Sequence, residues 1–476
     1  MLMRQLRWPG VVCFVRSIAI ACLAVATSGV DTCAAASASE DRPNIVLIVA
    51  DDLGYGDVGC FVGEAGVTPR LNSIAERGAR LTSFYSDAPV CSPTRASLLT
   101  GRYPQRHGLT NVIEARADDH RHLSIDQPLF VQSLQAAGYR TALCGKWHLG
   151  AAAEIRPHRR GFDEFVGGLH GGLDFFTHET IAHGHDLWRN DEPYVRDGDY
   201  VTDLTASEGI QFIESAGSEP FFLMLSFHAP HTSMGPQTRG NVQAPARWLR
   251  QLSVPPSSAN SQRMAACLAA LDEAVGEVVD AIARSGRAER TLIVFTSDNG
   301  PVTEAGGSAG PFRGSKHSLW EGGVRVPTIV VWPRRIPPGS TYSQPAISHD
   351  VAPTILSAAG VEYEADVFDG DNLLPFLEQS AQPDERTLYW SYLRQAPLTR
   401  ERAVRRGNWK WLNGELYDLS ADPGENRDVA SAYSSIAQEL AQSWSAWIEK
   451  FPVEKARWGD QQPVRTPLGQ GRKDKS

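Results

Sequence analysis

Asn44-Ile45-Val46-Leu47-Ile48-Val49-Ala50 is an unbroken apolar run rich in β-branched residues, and it ends in Asp51-Asp52 and the turn-rich Leu53-Gly54-Tyr55-Gly56-Asp57. A run of this length without polar alternation predicts a strand covered on both faces, as in a parallel sheet between helices. The same texture returns at 141–144, 221–227, 292–297 and 326–332. Between these runs, 126–137 reads as a helix, with Pro128 in its first turn and Gly138 just past its end. Residues 265–283 read as an amphipathic core helix. Alternating strands and helices predict an α/β fold with a large, mostly parallel central sheet flanked by helices.

Beyond about residue 380 the texture changes. Residues 387–392, 403–405, 409–412 and 415–419 are short, aromatic and turn-punctuated, which predicts a small antiparallel sheet, and 434–451 reads as a closing helix. The expected organisation is a leader over 1–38, a main domain over 39–380, a C-terminal small-sheet subdomain over 381–456 and a polar tail over 457–476.

The leader has Arg4, Arg7 and Arg16, an apolar 18–26 segment and small residues offering an A-x-A site at Ala34-Ala35-Ala36 or Ala36-Ser37-Ala38. Arg16 and Asp31 bound a stretch too short for a membrane span, so export to a bacterial periplasm or medium is expected, with no stable span in the mature chain. Removing 1–38 takes away three Arg and one Asp, a net +2, and shifts the formal charge from −9 to −11. Without a basic stripe, that balance argues against nucleic-acid binding. Of the seven Cys, Cys13, Cys22 and Cys33 leave with the leader. Cys60, Cys91, Cys144 and Cys267 do not make a disulfide framework.

Four of the predicted strands deliver polar residues at their ends: Asp51-Asp52, Lys146 and His148, His228, and Asp298-Asn299. In an open α/β sheet these would converge on the carboxyl edge, where such folds place their sites. Lys146 and His148 are two apart, so an extended segment would point both the same way. Three carboxylates and an amide are hard oxygen donors, favouring Ca²⁺, with Mg²⁺ as the alternative, over Zn²⁺. The Gly- and His-rich stretch to Tyr200, carrying His170, Asp174, His178, His183 and His185, reads as a site wall built from loops. A separate run, Pro89-Val90-Cys91-Ser92-Pro93-Thr94-Arg95, puts a lone thiol just before a helix start with Arg95 one turn on. Position alone leaves two readings of Cys91 open, a buried structural thiol or a reactive one.

The run Cys91-Ser92-Pro93-Thr94-Arg95-Ala96-Ser97-Leu98-Leu99-Thr100-Gly101-Arg102 resembles the type I sulfatase signature. Leu271-Asp272-Glu273-Ala274-Val275-Gly276, Arg313-Gly314-Ser315-Lys316 and Ser318-Leu319-Trp320-Glu321-Gly322-Gly323-Val324-Arg325 look most like the arylsulfatase B, or N-acetylgalactosamine-4-sulfatase, branch. The resemblance implies an alkaline-phosphatase-like fold and a sulfuric ester hydrolase acting on a sulfated sugar or polysaccharide. It implies that a maturation enzyme oxidises Cys91 to formylglycine, whose hydrate forms a covalent sulfate–enzyme intermediate. It matches Asp51, Asp52, Asp298 and Asn299, with residue 91, to metal ligands. Arg95, Lys146, His148, His228 and Lys316 match active-site cations and acid/base groups; His231, Trp147, Trp320 and Arg325 are further candidates for substrate contact. Two other readings stand beside it: a phosphoester or phosphonate hydrolase of the same superfamily, and a non-catalytic carbohydrate-binding relative.

Overall fold

The computed structural model describes residues 42–451 except 64–65, 115, 117–120, 253–258 and 396–397. The leader and the polar tail lie outside the described residues. The described residues form one compact unit.

Ten strands make the main sheet: β1 (Asn44–Asp51), β2 (Ala79–Leu81), β3 (Arg140–Gly145), β4 (Glu164–Gly167), β5 (Trp188–Arg189), β6 (Glu192–Pro193), β7 (Phe221–Pro230), β8 (Thr291–Ser297), β9 (Thr328–Val331) and β10 (Ser340–Tyr342). Their order is β10-β2-β9-β8-β1-β7-β3-β4-β5-β6. The five central strands, β8 through β4, are parallel. Strand β1 lies in the middle, and every one of its residues is buried. Its pleat sends Ile45, Leu47 and Val49 into one core and Val46, Ile48 and Ala50 into the other. Burying each Ile, Leu or Val side chain of this strand contributes about 1.5–3 kcal/mol. That double-sided burial explains why the run has no polar alternation.

The sheet is mixed at its flanks. The run at 326–332 forms β9, which pairs antiparallel with both β8 and β2. The helix placed at 126–137 begins later, at Phe130, and ends at Ala136. Pro128 disfavours helical backbone at the residue before it. The Gln132 side chain then accepts from the Leu129 N–H at 2.9 Å, so the helix starts there. The long helix covers Ala259–Arg284, starting earlier than 265, and packs on Val201–Ser215 and β7.

A second sheet is formed by β11 (Thr387–Gln395), β12 (Leu398–Arg406), β13 (Trp409–Leu412) and β14 (Glu415–Asp418), all antiparallel. The closing helix Ser434–Ile448 lies against it. Its core joins Trp390, Trp411, Trp444 and Trp447 to Tyr85, Val90 and Leu319 of the main sheet's loops. The small sheet therefore shares a core with the segment immediately before Cys91.

Candidate active site

The carboxyl ends of β1, β3, β7 and β8 bring the expected residues together. Asp51 ends β1, and Asp52 follows in left-handed backbone at φ 67°. The Asp52 N–H donates to Asp298 Oδ1 at 3.1 Å, and Asn299 Nδ2 donates to Asp52 Oδ1 at 2.7 Å. Asp51, Asp298 and Asn299 are wholly buried.

Three cations face the three carboxylates. Lys146 Nζ donates to Asp51 Oδ2 at 2.7 Å. Arg95 Nε donates to Asp298 Oδ2 at 2.8 Å, with Nη2 3.7 Å from Asp51. Lys316 Nζ reaches both oxygens of Asp52, at 2.7 and 2.8 Å. Lys316 and its neighbour His231, 3.6 Å from Asp52, hold that carboxyl well below its usual range against the upward push of burial. Burial raises Asp298 to about 6 despite Arg95. Ion pairs this deep are stable only when geometry and hydrogen bonds are satisfied, because each desolvated charge is costly.

Cys91 differs from expectation in one detail. It is the first residue of the helix Cys91–Thr100, with Val90 as extended N-cap. Its Sγ lies 3.3 Å from Asp51 Oδ1 and 3.5 Å from Lys316 Nζ. Burial pushes the thiol well above its ordinary range; Lys146 and Lys316 oppose this, and Asp51 and Asp298 add to it. An unmodified Cys91 is thus a protonated thiol at neutral pH, a poor nucleophile.

The extended geometry expected for Lys146 and His148 does not hold. Strand β3 stops at Gly145, φ 108°, and His148 sits in left-handed backbone at φ 59°. The Trp147 and His148 N–H groups donate to Gly168 and Leu169 carbonyls, which turns the chain. Lys146 still enters the cluster, and Trp147 goes into the core beside Phe162. His148 Nε2 lies 2.8 Å from the Ile113 carbonyl, with Nδ1 unpartnered among the described residues. Neither ring nitrogen of buried His228 has a partner among them. Burial first, then Lys146, lowers both histidines well below the usual range, so both rings are neutral.

The loop wall is real, but its close contacts are glycines. A Cβ on Gly171 would stand 2.6 Å from His148 Nε2, and one on Gly168 3.0 Å from His228 Nε2. Asp174 and His178 are bound within the wall itself: Asp174 accepts from Thr238 and Gln243, and His178 Nε2 meets the Asp199 carbonyl. His170 and His183 stack at 3.8 Å. Trp320 lies under the Arg313 guanidinium, and Arg325 bonds Thr82, Ser83 and Glu321, which accounts for both as structural ties.

Two residues of the cluster were missed or underrated. Ser226 on β7 accepts from Arg95 Nη1 and donates to the Lys146 carbonyl, locking two cations together; a serine in an apolar strand was the available signal. His231 stands among the groups able to hold a metal. Atoms of Asp51, Asp52, Cys91 and His231 all lie within 4.8 Å of one another. Asp298 and Asn299 adjoin this set through Asp52. Asn299 Oδ1 is buried without a partner among the described residues, so the oxygen donors present fit a hard cation.

A buried cluster of carboxylates, cations and neutral histidines on a parallel-sheet edge defines a hydrolase site for an anionic ester. The comparisons narrow this. Residues 43–361 match the Sulfatase family model, and 312–450 match that of the N-sulphoglucosamine sulphohydrolase C-terminal region. Arylsulfatase A of Homo sapiens is 31% identical over 452 aligned positions, covering 84% of this chain and 86% of that protein. N-acetylgalactosamine-6-sulfatase of Mus musculus is 31% identical over 427 positions, covering 82% and 77%. The crystal structure of Ps i-CgsB in complex with k-i-k-neocarrahexaose superposes with a TM-score of 0.79 at 29% identity, covering 89% of this chain and 94% of that one. The chain belongs to the type I sulfatase family and is a sulfuric ester hydrolase.

Proposed function

We propose that this enzyme removes sulfate from a sulfated carbohydrate, using formylglycine made from Cys91 and a Ca²⁺ ion held by Asp51, Asp52, Asp298 and Asn299. The observation that carries this reading is the position of Cys91 Sγ, between Asp51 and Lys316 within a charge-balanced buried cluster. The protonated thiol explains why the residue needs conversion before it can act. When bound, the ion supplies Lewis acidity to the nucleophilic hydroxyl and the sulfate oxygens.

The chain's own residues do the rest. Arg95, Lys146 and Lys316 hold the sulfate oxygens, and such preorganised donors are typically worth about 10²–10³ in rate each. Lys316 stays protonated beside Asp52, which places a proton donor next to residue 91. Protonated Lys316 supplies the proton that the departing alcohol takes, and neutral His228 hydrogen-bonds the leaving oxygen through its ring N–H. Neutral His148, its Nε2–H held by the Ile113 carbonyl, accepts at Nδ1 the proton of the second hydroxyl on residue 91 as the bond to sulfate breaks and sulfate leaves. Gly168 and Gly171 let the wall close on both rings.

The carbohydrate reading draws support from the relatives, among them a galactosamine sulfatase and a structure holding a carrageenan oligosaccharide. A maturation enzyme acting on Cys91 and export to a periplasm or medium belong to the same reading. Among the described residues, no helix is long and apolar enough to cross a membrane. Parallel kinetics on aryl sulfate, aryl phosphate and a panel of sulfated oligosaccharides test the reading. It expects sulfate release that Cys91→Ala abolishes; faster phosphate turnover, or activity surviving Cys91→Ala, would refute it.

A further inference from the structure

The three buried cations at the site, Arg95, Lys146 and Lys316, already face three buried carboxylates. Any additional negative charge on the substrate must be met outside that cluster. The whole chain carries −9, so its general field does not draw in a polyanion. The small sheet carries a part-exposed arginine, Arg394.

On β11 the pleat puts Trp390, Tyr392 and Arg394 on one face. Trp390 Nε1 donates to the Ser86 carbonyl, in the segment leading to Cys91. Tyr392 Oη lies 3.1 Å from His317 Nδ1, next to Lys316. Arg394 comes next on that face, and its charge is felt at both His317 and Tyr392. Glu401, opposite Tyr392 on β12, accepts the Leu319 N–H at 2.6 Å through Oε2. Its other oxygen is 4.0 Å from Arg394, whose side chain is 33% exposed. Among the described residues, that distant carboxylate holds the part-exposed Arg394 guanidinium only loosely. His317 is exposed, its N–H donates to the Pro89 carbonyl, and its φ of 69° is unfavourable for a residue with a side chain. Strain of that kind persists because Tyr392 and Pro89 fix the residue from both sides.

We propose that Arg394, with His317 beside it, determines specificity on the leaving-group side, selecting a sugar that carries a second anionic group, a carboxylate or a second sulfate, besides the scissile sulfate. Arg394 pairs with that anion and His317 hydrogen-bonds a neighbouring hydroxyl. The proposal rests on the carbohydrate reading above.

The test compares wild type, Arg394→Gln and Arg394→Lys on matched disaccharides: one sulfated only at the scissile position, one with a uronate partner, one with a second sulfate. Wild type is expected to favour one of the doubly anionic substrates, and which one identifies the anion. Arg394→Gln should lower the ratio of kcat/KM for doubly to singly anionic substrate by about 10-fold or more, chiefly through KM, as expected for loss of a charge-assisted hydrogen bond. Arg394→Lys should restore part of it, and added salt should shrink the wild-type preference. An unchanged ratio, or equal losses on all three, overturns the inference alone. Failure of wild type to turn over any sulfated sugar, while it cleaves aryl sulfate, overturns the carbohydrate reading and the inference together.

Discussion

Lys316 Nζ stands 3.5 Å from Cys91 Sγ and grips both oxygens of Asp52, although the two residues are 225 positions apart in the chain. One ammonium thus links residue 91 to Asp52, a carboxylate proposed to hold the metal. Lys316→Ala should lower kcat on an aryl sulfate by about 10²–10³, with the far-UV circular dichroism spectrum retained. Loss below 10-fold would remove Lys316 from the machinery.

Arg95 joins four partners: Asp298, Asp51, the Lys146 carbonyl and Ser226. Arg95→Met leaves Asp298 buried without its cation. Breaking a buried pair in this way destabilises by about 3–5 kcal/mol, which should appear as a clear fall in melting temperature as well as in activity. A variant with wild-type stability would contradict the buried-pair account.

Gly171 has no room for a side chain, since a Cβ would stand 2.6 Å from His148 Nε2. Gly171→Ala should displace the ring from the Ile113 carbonyl. A misplacement on the order of 1 Å can reduce rate by about 10²-fold. The expected result is lower kcat with a melting temperature close to wild type, read from steady-state kinetics and thermal denaturation.

Lys410 lies between Glu321 and Glu425, at 2.9 and 2.8 Å, and all three are buried where the small sheet meets the Lys316 loop. Burial raises Glu425 from 4.5 to about 7, with Lys410 opposing. The folded state therefore binds more protons than the unfolded state in that window, and ∂ΔG/∂pH is negative there. This contribution is fully present below about pH 4.5 and is lost as pH rises through about 7. Glu425→Gln should flatten that part of the melting temperature profile; an unaltered slope would show that another group is responsible.

Chelation gives a further check. Treatment with EDTA should abolish sulfate release, and Ca²⁺ should restore it better than Zn²⁺, because the donors are hard oxygens. Recovery with Zn²⁺ alone would contradict the oxygen-donor assignment.

The sequence displayed the frame of this site more fully than its fittings. Strand β1 was legible because a residue buried on both faces must be apolar at every position, and its end marked where Asp51 and Asp52 would sit. The edge strands were less so: nothing local in 326–332 reveals that β9 runs antiparallel, since its direction depends on the strands it joins. Lys146 and His148 were expected to point the same way from an extended segment, but carbonyls of Gly168 and Leu169 impose a left-handed turn at His148. Ser226, Tyr392 and His317 act through partners far along the chain, and no spacing rule connects them. Trp147 shows the reverse case: between Lys146 and His148 in sequence, it is turned into the core.

In the proposed reaction, Cys91 is the precursor of the aldehyde whose hydrate attacks sulfate. Mass spectrometry of the proteolytic peptide spanning Cys91, taken from enzyme made in its native host, tests it most directly. Formylglycine is expected at position 91, trapped as an adduct by a hydrazine probe in proportion to specific activity. A fully active preparation carrying only the unmodified thiol would contradict it.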